Sequence, residues 1–125
     1  MNVLDSSGWI EVFQSGVNTD FFEEVLQDEP SLLVPSLCIT EVYRVVRRRV
    51  GVRTALRVVS LMRRHRVVDI SSEIALLAGE LGSSHSLALA DSIILACTRS
   101  HGATLWTQDK DFDGLPDVRY IPAAP

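Results

Sequence analysis

Short apolar runs alternate with longer segments of helical periodicity from one end of the sequence to the other. The runs lie at residues 3–4, 32–34, 67–70, 103–106 and 118–121. Strands buried on both faces are short and continuously apolar, and helices between them connect parallel neighbours. At 125 residues, the chain has the length of one ordinary domain. The pattern predicts a single three-layer α/β/α domain over residues 1–125 with a mainly parallel central sheet.

Capping residues and glycines predict where the helices begin and end. We expect a helix after the first strand, a second that begins at Asn18 or Thr19, and a third from residue 36 to Gly51. Two later helices are expected, one from residue 71 or 72 to Gly82 and one that includes the apolar residues 87–97 and is ended by Gly102. The helix after Gly51 is predicted to bury Val52, Ala55, Leu56, Val59 and Met62.

The charges are strongly segregated along the chain, although the net charge is only -4. Residues 42–68 contain arginine at nine positions and no acidic residue, whereas residues 1–41 contain acids but no lysine or arginine. Such a block can bind an anion that the whole molecule would repel, and the planar guanidinium suits phosphate. The same block is also compatible with a solvated helix face or with a face that pairs with an acidic partner protein.

Neither a secretion signal nor a membrane span is expected. An acid, Asp5, follows the first four residues, and no basic stretch precedes an apolar run. No apolar segment approaches the roughly 18 to 20 uncharged residues that a membrane span requires. We therefore expect a soluble, cytoplasmic protein.

Cysteine and aromatic side chains are expected in the core. The two cysteines lack the paired spacing of a metal site or of a disulfide framework, and each lies in an apolar helical pattern. The predicted core includes Cys38, Cys97, Trp9, Phe13, Trp106 and Phe112.

Four acids fall where a parallel sheet would bring them to the same edge. Asp5 and Asp109 follow predicted strands, while Glu41 and Asp91 lie on predicted helices. Asp91 is flanked by apolar residues on both sides, so its carboxylate would lose hydration unless a cation or hydrogen bonds compensate it. Converging carboxylates repel each other, and Mg²⁺ or Mn²⁺ would offset this repulsion with oxygen ligands.

Each of these acids also has a purely structural interpretation. Asp5 could cap the helix that follows it, and Asp91 could cap a helix that begins at the next residue. Glu41 could pair with an arginine on its own helix, and Asp109 could be an ordinary turn residue.

Four sequence fragments, in this order, resemble the PIN-domain nucleases, and most of all the VapC-type toxins of toxin-antitoxin pairs. They are Val-Leu-Asp-Ser-Ser at residues 3–7, Thr-Glu-Val-Tyr-Arg at 40–44, Leu-Ala-Asp-Ser-Ile-Ile at 89–94 and Gly-Ala-Thr-Leu-Trp-Thr-Gln-Asp-Lys-Asp-Phe at 102–112. The resemblance covers essentially the whole chain, and the sequence does not depart from the family pattern at the four main acids.

The resemblance implies an acidic site that binds one or two Mg²⁺ or Mn²⁺ ions through Asp5, Glu41, Asp91 and Asp109. Two hydroxyl side chains, Ser6 and Thr107, match positions that assist such sites. Asp111 is either a fifth acid or the cap of the turn before Phe112.

The resemblance also implies a metal-dependent endoribonuclease, the toxin of a type II toxin-antitoxin system. We expect attack by a metal-activated water in line with the leaving oxygen, which leaves a 5′-phosphate and a 3′-hydroxyl. Arg44 and Arg48 share the helix face of Glu41 and are expected to hold the RNA backbone or an antitoxin tail. The expected partners are the RNA substrate and a cognate antitoxin, with a homodimer inside the hetero-complex.

Other phosphate-handling folds fit the sequence less well. A haloacid dehalogenase phosphatase needs a second Asp two residues after the first, where this chain has Ser7. A receiver domain needs an acid near residue 55, and a P-loop motif is absent. The remaining alternative is a non-catalytic RNA- or antitoxin-binding module with the same fold.

Overall fold

The computed structural model describes residues 1–125 apart from the side chain of Glu29. Two 3-10 turns, Glu29–Ser31 and Lys110–Phe112, precede the second and the last strand. Among the described helices, none combines the length and the apolar content needed to cross a membrane. The described backbone forms five strands and six helices: β1 (Asn2–Leu4), α1 (Ser6–Phe13), α2 (Thr19–Leu26), β2 (Leu32–Pro35), α3 (Ser36–Arg49), α4 (Val52–Met62), β3 (Arg66–Val68), α5 (Ser72–His85), α6 (Leu89–Ser100), β4 (Thr104–Thr107) and β5 (Val118–Tyr120).

The strands form one sheet in the order β3-β2-β1-β4-β5. Every neighbouring pair is parallel, and Val3 of β1 lies opposite Leu33 of β2 and Leu105 of β4. Because parallel crossovers are right-handed, the helices before β3 and those between β3 and β4 belong on opposite faces of the sheet. The predicted α/β fold with a parallel central sheet is confirmed.

The direction in which strands are added reverses at β1. The chain adds β2 and β3 on one side of β1, and then returns to add β4 and β5 on the other side. In an open parallel sheet, such a reversal opens a crevice beyond the carboxyl ends of the two strands that flank it. The crevice here lies beyond β1 and β4.

The predicted core is largely confirmed. Both cysteines, Trp9, Trp106 and Phe112 are buried. The prediction was wrong for Phe13, which is 37% exposed. Phe13 is the last residue of α1 and lines an apolar cleft of about 220 Å³.

One predicted helix end was wrong because a glycine serves packing rather than termination. The helix α5 continues past Gly82 to His85, and Ser86, with a φ of 54°, is its C-cap. A Cβ on Gly82 would lie 3.3 Å from Cβ of Ser92 on α6. The glycine therefore allows α5 and α6 to pack closely.

The buried face of α4 is rotated relative to the prediction. Val52 and Leu56 are 43% and 53% exposed, whereas Val58 is buried together with Ala55 and Met62. The residues predicted to be buried and those that are buried both repeat at helical spacing and are both apolar, so periodicity alone does not distinguish the two faces. Gly51 has a φ of 129° and separates α3 from α4, as predicted.

Candidate active site

Asp5 and Thr107 meet at the carboxyl ends of β1 and β4. The backbone N–H of Asp5 donates to the carbonyl of Trp106 at 3.0 Å, which carries the contact between the strands past the end of β1. The Thr107 hydroxyl then donates to Oδ2 of Asp5 at 2.8 Å. This contact places both side chains in the crevice where the strand order reverses.

The Asp5 carboxylate is buried but well provided with hydrogen-bond donors. It is 4% exposed, and it accepts hydrogen bonds from the backbone N–H of Ser6 at 2.8 Å and from the Ser7 hydroxyl at 2.9 Å. Burial raises the pKa of Asp5, hydrogen bonds from Thr107 and Ser7 oppose the shift, and the charge of Asp109 adds to it. Asp5 is also the N-cap of α1, so the capping interpretation is compatible with a place in the site.

Glu41 reaches the same region from α3. Its Oε1 accepts a 2.7 Å hydrogen bond from the hydroxyl of Ser6. Among the described side chains, this is the partner of Glu41, rather than Arg44 or Arg48 of its own helix. Ser6 thus connects Glu41 to the segment that carries Asp5.

Asp91 lies in the first turn of α6, which begins at Leu89. The alternative in which Asp91 caps a helix that begins at Ser92 is therefore wrong. The N-cap of α6 is Ala88, which supplies no side-chain hydrogen bond. The Asp91 side chain thus remains available for a role in the site.

The charge of Asp91 is strongly affected by its surroundings. Burial, followed by the nearby charges of Asp109, Asp5, Asp111 and Glu41, raises its pKa to about 7. The four repelling acids lie on three separate segments of the chain, so these carboxylates surround one region.

Three of the acids form a tight cluster. Each of Asp91, Asp109 and Asp111 offers a carboxylate oxygen, and these oxygens lie within 4.8 Å of one another. Asp109 Oδ1 also accepts from the backbone N–H of Asp111 at 3.0 Å, so Asp109 caps the 3-10 turn. The alternative in which Asp111 caps that turn is wrong, and the turn role of Asp109 coexists with its place in the cluster.

The four predicted acids thus lie in one region of the structure, but they are not equally close to one another. Asp91 and Asp109 form the cluster together with Asp111, which the sequence offered only as a fifth acid. Asp5 and Glu41 lie beside it, close enough for their charges to raise the pKa of Asp91. Their assignment as metal ligands stays a prediction, and a donor set made of carboxylate oxygens suits a hard divalent cation.

Sequence reasoning missed two polar side chains around this site. Ser7 donates to Asp5, and the amide of Asn18 donates to Gln108, the neighbour of Asp109. The sequence does not assign Ser7 to Asp5, because only the geometry of the turn decides which acid each hydroxyl contacts. Asn18 was interpreted as a helix cap, and its partner is 90 residues away.

Exposed arginines of α3 line a cleft of about 660 Å³ beside Glu41. We call this cleft, whose walls include Arg44, Arg47, Arg48, Glu41 and Tyr43, the arginine cleft. Arg44 and Arg48 therefore lie next to Glu41, as their spacing predicted, and their role in binding stays a prediction. Arg47, which belongs to the predicted basic block, also lines the cleft.

Comparison with known proteins gives a family and several similar structures. The PIN-domain profile matches residues 3–118. The chain is similar to a toxin-antitoxin complex from Klebsiella pneumoniae, with 26% identity, a TM-score of 0.78, and coverage of 95% of this chain and 96% of that chain. A comparison with curated proteins gives no match.

Two further structures share the fold at lower identity. The first is VapC20 of Mycobacterium tuberculosis, described as a toxin that cleaves the sarcin-ricin loop, with 21% identity, a TM-score of 0.78, and coverage of 95% of this chain and 99% of that chain. The second is DNA-bound VapBC from Salmonella typhimurium, with 18% identity, a TM-score of 0.77, and coverage of 97% and 96% respectively. Since the profile spans nearly all of the chain, this protein belongs to the PIN-domain family.

Proposed function

We propose that the chain is a divalent-metal-dependent endoribonuclease, and that it acts as the toxin of a type II toxin-antitoxin pair. The observation that carries the nuclease role is the cluster of Asp91, Asp109 and Asp111, with oxygens within 4.8 Å of one another. Oxygens that share one Mg²⁺ ion are at most about 4.2 Å apart, so small side-chain movements would bring the three carboxylates to the spacing of a shared ion.

The residues that would hold the ion are the three clustered acids, with Asp5 and Glu41 beside them. A Mg²⁺ or Mn²⁺ ion held by these residues would supply charge neutralisation at the phosphate and a lowered pKa for an attacking water. Thr107 and Ser6 orient Asp5 and Glu41 through hydrogen bonds of 2.8 and 2.7 Å. Hydrolysis in line with the leaving oxygen yields a 5′-phosphate and a 3′-hydroxyl, and the 2′-hydroxyl of RNA takes no part.

The arginine cleft supports a nucleic-acid substrate. Arg44, Arg47 and Arg48 are exposed and share the cleft with Glu41, one of the proposed acids. Guanidinium groups bind phosphate oxygens with paired hydrogen bonds, so a strand held there would place a phosphodiester near the acids. Without such cations, the acids would repel the substrate.

The toxin role rests on similarity rather than on the site itself. The Klebsiella pneumoniae structure, at 26% identity, is a toxin-antitoxin complex, and VapC20 is described as a toxin that cleaves the sarcin-ricin loop. We therefore propose an antitoxin as the partner, a homodimer inside the complex, and RNA inside the cell as the target.

The test is cleavage of candidate RNAs by the purified protein with Mg²⁺ or Mn²⁺, with and without a chelator. Asp91→Asn should abolish the metal-dependent cleavage, whereas Asp20→Asn, a matched change at an exposed acid of α2, should preserve it. Product ends should carry a 5′-phosphate. RNA binding without cleavage at any metal concentration would instead favour the non-catalytic module, and a 2′,3′-cyclic phosphate would contradict the proposed chemistry.

A further inference from the structure

The side chain of Asn18 links segments that are far apart in the sequence. Its Nδ2 donates to Oε1 of Gln108 and to the carbonyl of Pro122, each at 2.9 Å. Its backbone N–H donates to Oε2 of Glu11, also at 2.9 Å. Asn18 is 8% exposed, so these contacts are shielded from competing water.

Asn18 occupies a position where asparagine usually has a different task. It is the N-cap of α2, and its side chain makes no capping hydrogen bond. An asparagine at an N-cap normally accepts a hydrogen bond from the first turn of its own helix. Here both hydrogens of the amide are directed to Gln108 and Pro122, so the side chain serves the distant segments.

Gln108 is the residue through which Asn18 can act on the acids. It lies between Thr107, which donates to Asp5, and Asp109, which belongs to the acidic cluster. The backbone at Asp109 is extended, with φ -83° and ψ 116°. Successive side chains of an extended chain point to opposite sides, so holding Gln108 on one side keeps Thr107 and Asp109 on the other.

The C-terminal segment contributes to the same arrangement. The N–H of Ile121 donates to the carbonyl of Thr107 at 3.1 Å, and the carbonyl of Pro122 accepts from Asn18. The segment from Thr107 to Asp109 is therefore held both by β5 and by the start of α2.

We propose that Asn18 is a positioning residue, which fixes the orientation of Asp109 and Thr107 by holding Gln108. Insofar as the acids hold a metal ion, the inference rests on the proposed function. Residues that orient the ligands of a metal commonly change its affinity by about 10- to 100-fold when replaced.

The test compares Asn18→Ala with Asn18→Ser. Serine retains the ability to cap α2 but is too short to reach Gln108 and Pro122 together, so it separates capping from positioning. Gln108→Ala removes the contact from the other side. Ser71→Ala, which removes the cap of α5, is a control for a loss of stability alone.

The first measurement is amide hydrogen exchange at Asp109 and Asp111 in the metal-free protein. These amides donate to Thr107 Oγ1 and Asp109 Oδ1. We expect exchange at least about tenfold faster in both Asn18 variants and in Gln108→Ala, after correction for global stability, and no change in Ser71→Ala. Wild-type exchange in Asn18→Ser would overturn the inference in favour of a cap.

The second measurement is the dissociation constant of Mn²⁺ by calorimetry. It should rise about tenfold or more in Asn18→Ala and Asn18→Ser, and the double variant with Gln108→Ala should add little. Additive effects would show that Asn18 does not act through Gln108 and would overturn the inference. Because exchange is measured without metal, it decides the role of Asn18 even if the wild type neither binds Mn²⁺ nor cuts RNA, a result that would overturn only the proposed function.

Discussion

The hydroxyl of Thr107 lies 2.8 Å from Oδ2 of Asp5, and Thr107 is fully buried at the carboxyl end of β4. The hydroxyl oxygen of Thr107 also accepts a hydrogen bond from the backbone N–H of Asp109 at 2.9 Å. One hydroxyl therefore donates to the acid that follows β1 and accepts from the acid that follows β4. A threonine at this position couples the two strand ends from which the site is built.

Thr107→Val should destabilise the protein and weaken its binding of Mn²⁺. The change keeps the shape of the side chain but removes one of the two hydroxyl donors to Oδ2 of Asp5, which keeps Ser7, and leaves the backbone N–H of Asp109 without its partner, at a cost of about 1–3 kcal/mol. Thr98→Val is a matched control, because Thr98 is also fully buried and its hydroxyl bonds the carbonyl of Ile94 in its own helix. Chemical denaturation measures the loss of stability, and calorimetry should show weaker Mn²⁺ binding for Thr107→Val only. Equal Mn²⁺ affinities in the two variants would contradict the coupling.

The raised pKa of Asp91 predicts that the metal-free protein loses stability as the pH rises through about 7. The folded state binds this proton more tightly than the unfolded chain, where the ordinary value is 3.8. The stabilisation is complete at low pH and is lost once the folded carboxyl ionises. Thermal unfolding between pH 6 and 8 should therefore show a falling Tm in the wild type and a smaller fall in Asp91→Asn.

Mn²⁺ or Mg²⁺ should reverse this trend in the wild type, because the cation favours the ionised carboxylate. Groups that titrate in the same range are common to both proteins, so the difference between their curves isolates Asp91. The carboxyl of Asp5, whose pKa is also raised, is present in both proteins, so its contribution is common to both curves. Parallel curves for the two proteins would show that Asp91 does not titrate in this range.

The fold was predictable because its signals are local and strong. The apolar runs that became β1, β2 and β4 are buried on both faces, and each helix between them begins near a predicted residue. The face of α4 and the end of α5 were not predictable. Both depend on which neighbour packs against a helix, as the contact between Gly82 and Ser92 shows.

The candidate site was predictable to the level of which acids converge, but not of how they converge. Strand order brings Asp5 and Asp109 to adjacent strand ends, and an acid amid apolar residues marks Asp91. The inclusion of Asp111 depends on the 3-10 turn that Asp109 caps, and a turn of three residues leaves little sequence pattern. Asn18 depends on a contact across 90 residues, which no local pattern encodes.

Asp111→Asn should weaken Mn²⁺ binding, whereas Asp113→Asn should not. Both acids are exposed and lie two residues apart, but only Asp111 belongs to the described cluster with Asp91 and Asp109. Removing one carboxylate charge from a shared cation should lower its affinity by about tenfold or more. Calorimetry at constant pH measures the Mn²⁺ affinity of both variants. An equal loss of affinity in the two would point to general electrostatic attraction rather than to ligation.

Removing two arginines of the arginine cleft should weaken RNA binding in a manner that depends on salt. Arg44→Ala with Arg48→Ala removes two phosphate contacts, so the slope of log K against log salt should become less steep by about 1.4 for a single strand. Arg53→Ala with Arg57→Ala is the matched control, because these exposed arginines of α4 have the same helical spacing. Binding is measured with a chelator present, so that cleavage does not interfere. If both pairs of substitutions lower the slope equally, RNA is attracted by the whole basic block rather than held in the arginine cleft. That result would contradict the proposal that Arg44 and Arg48 hold the strand beside the acids.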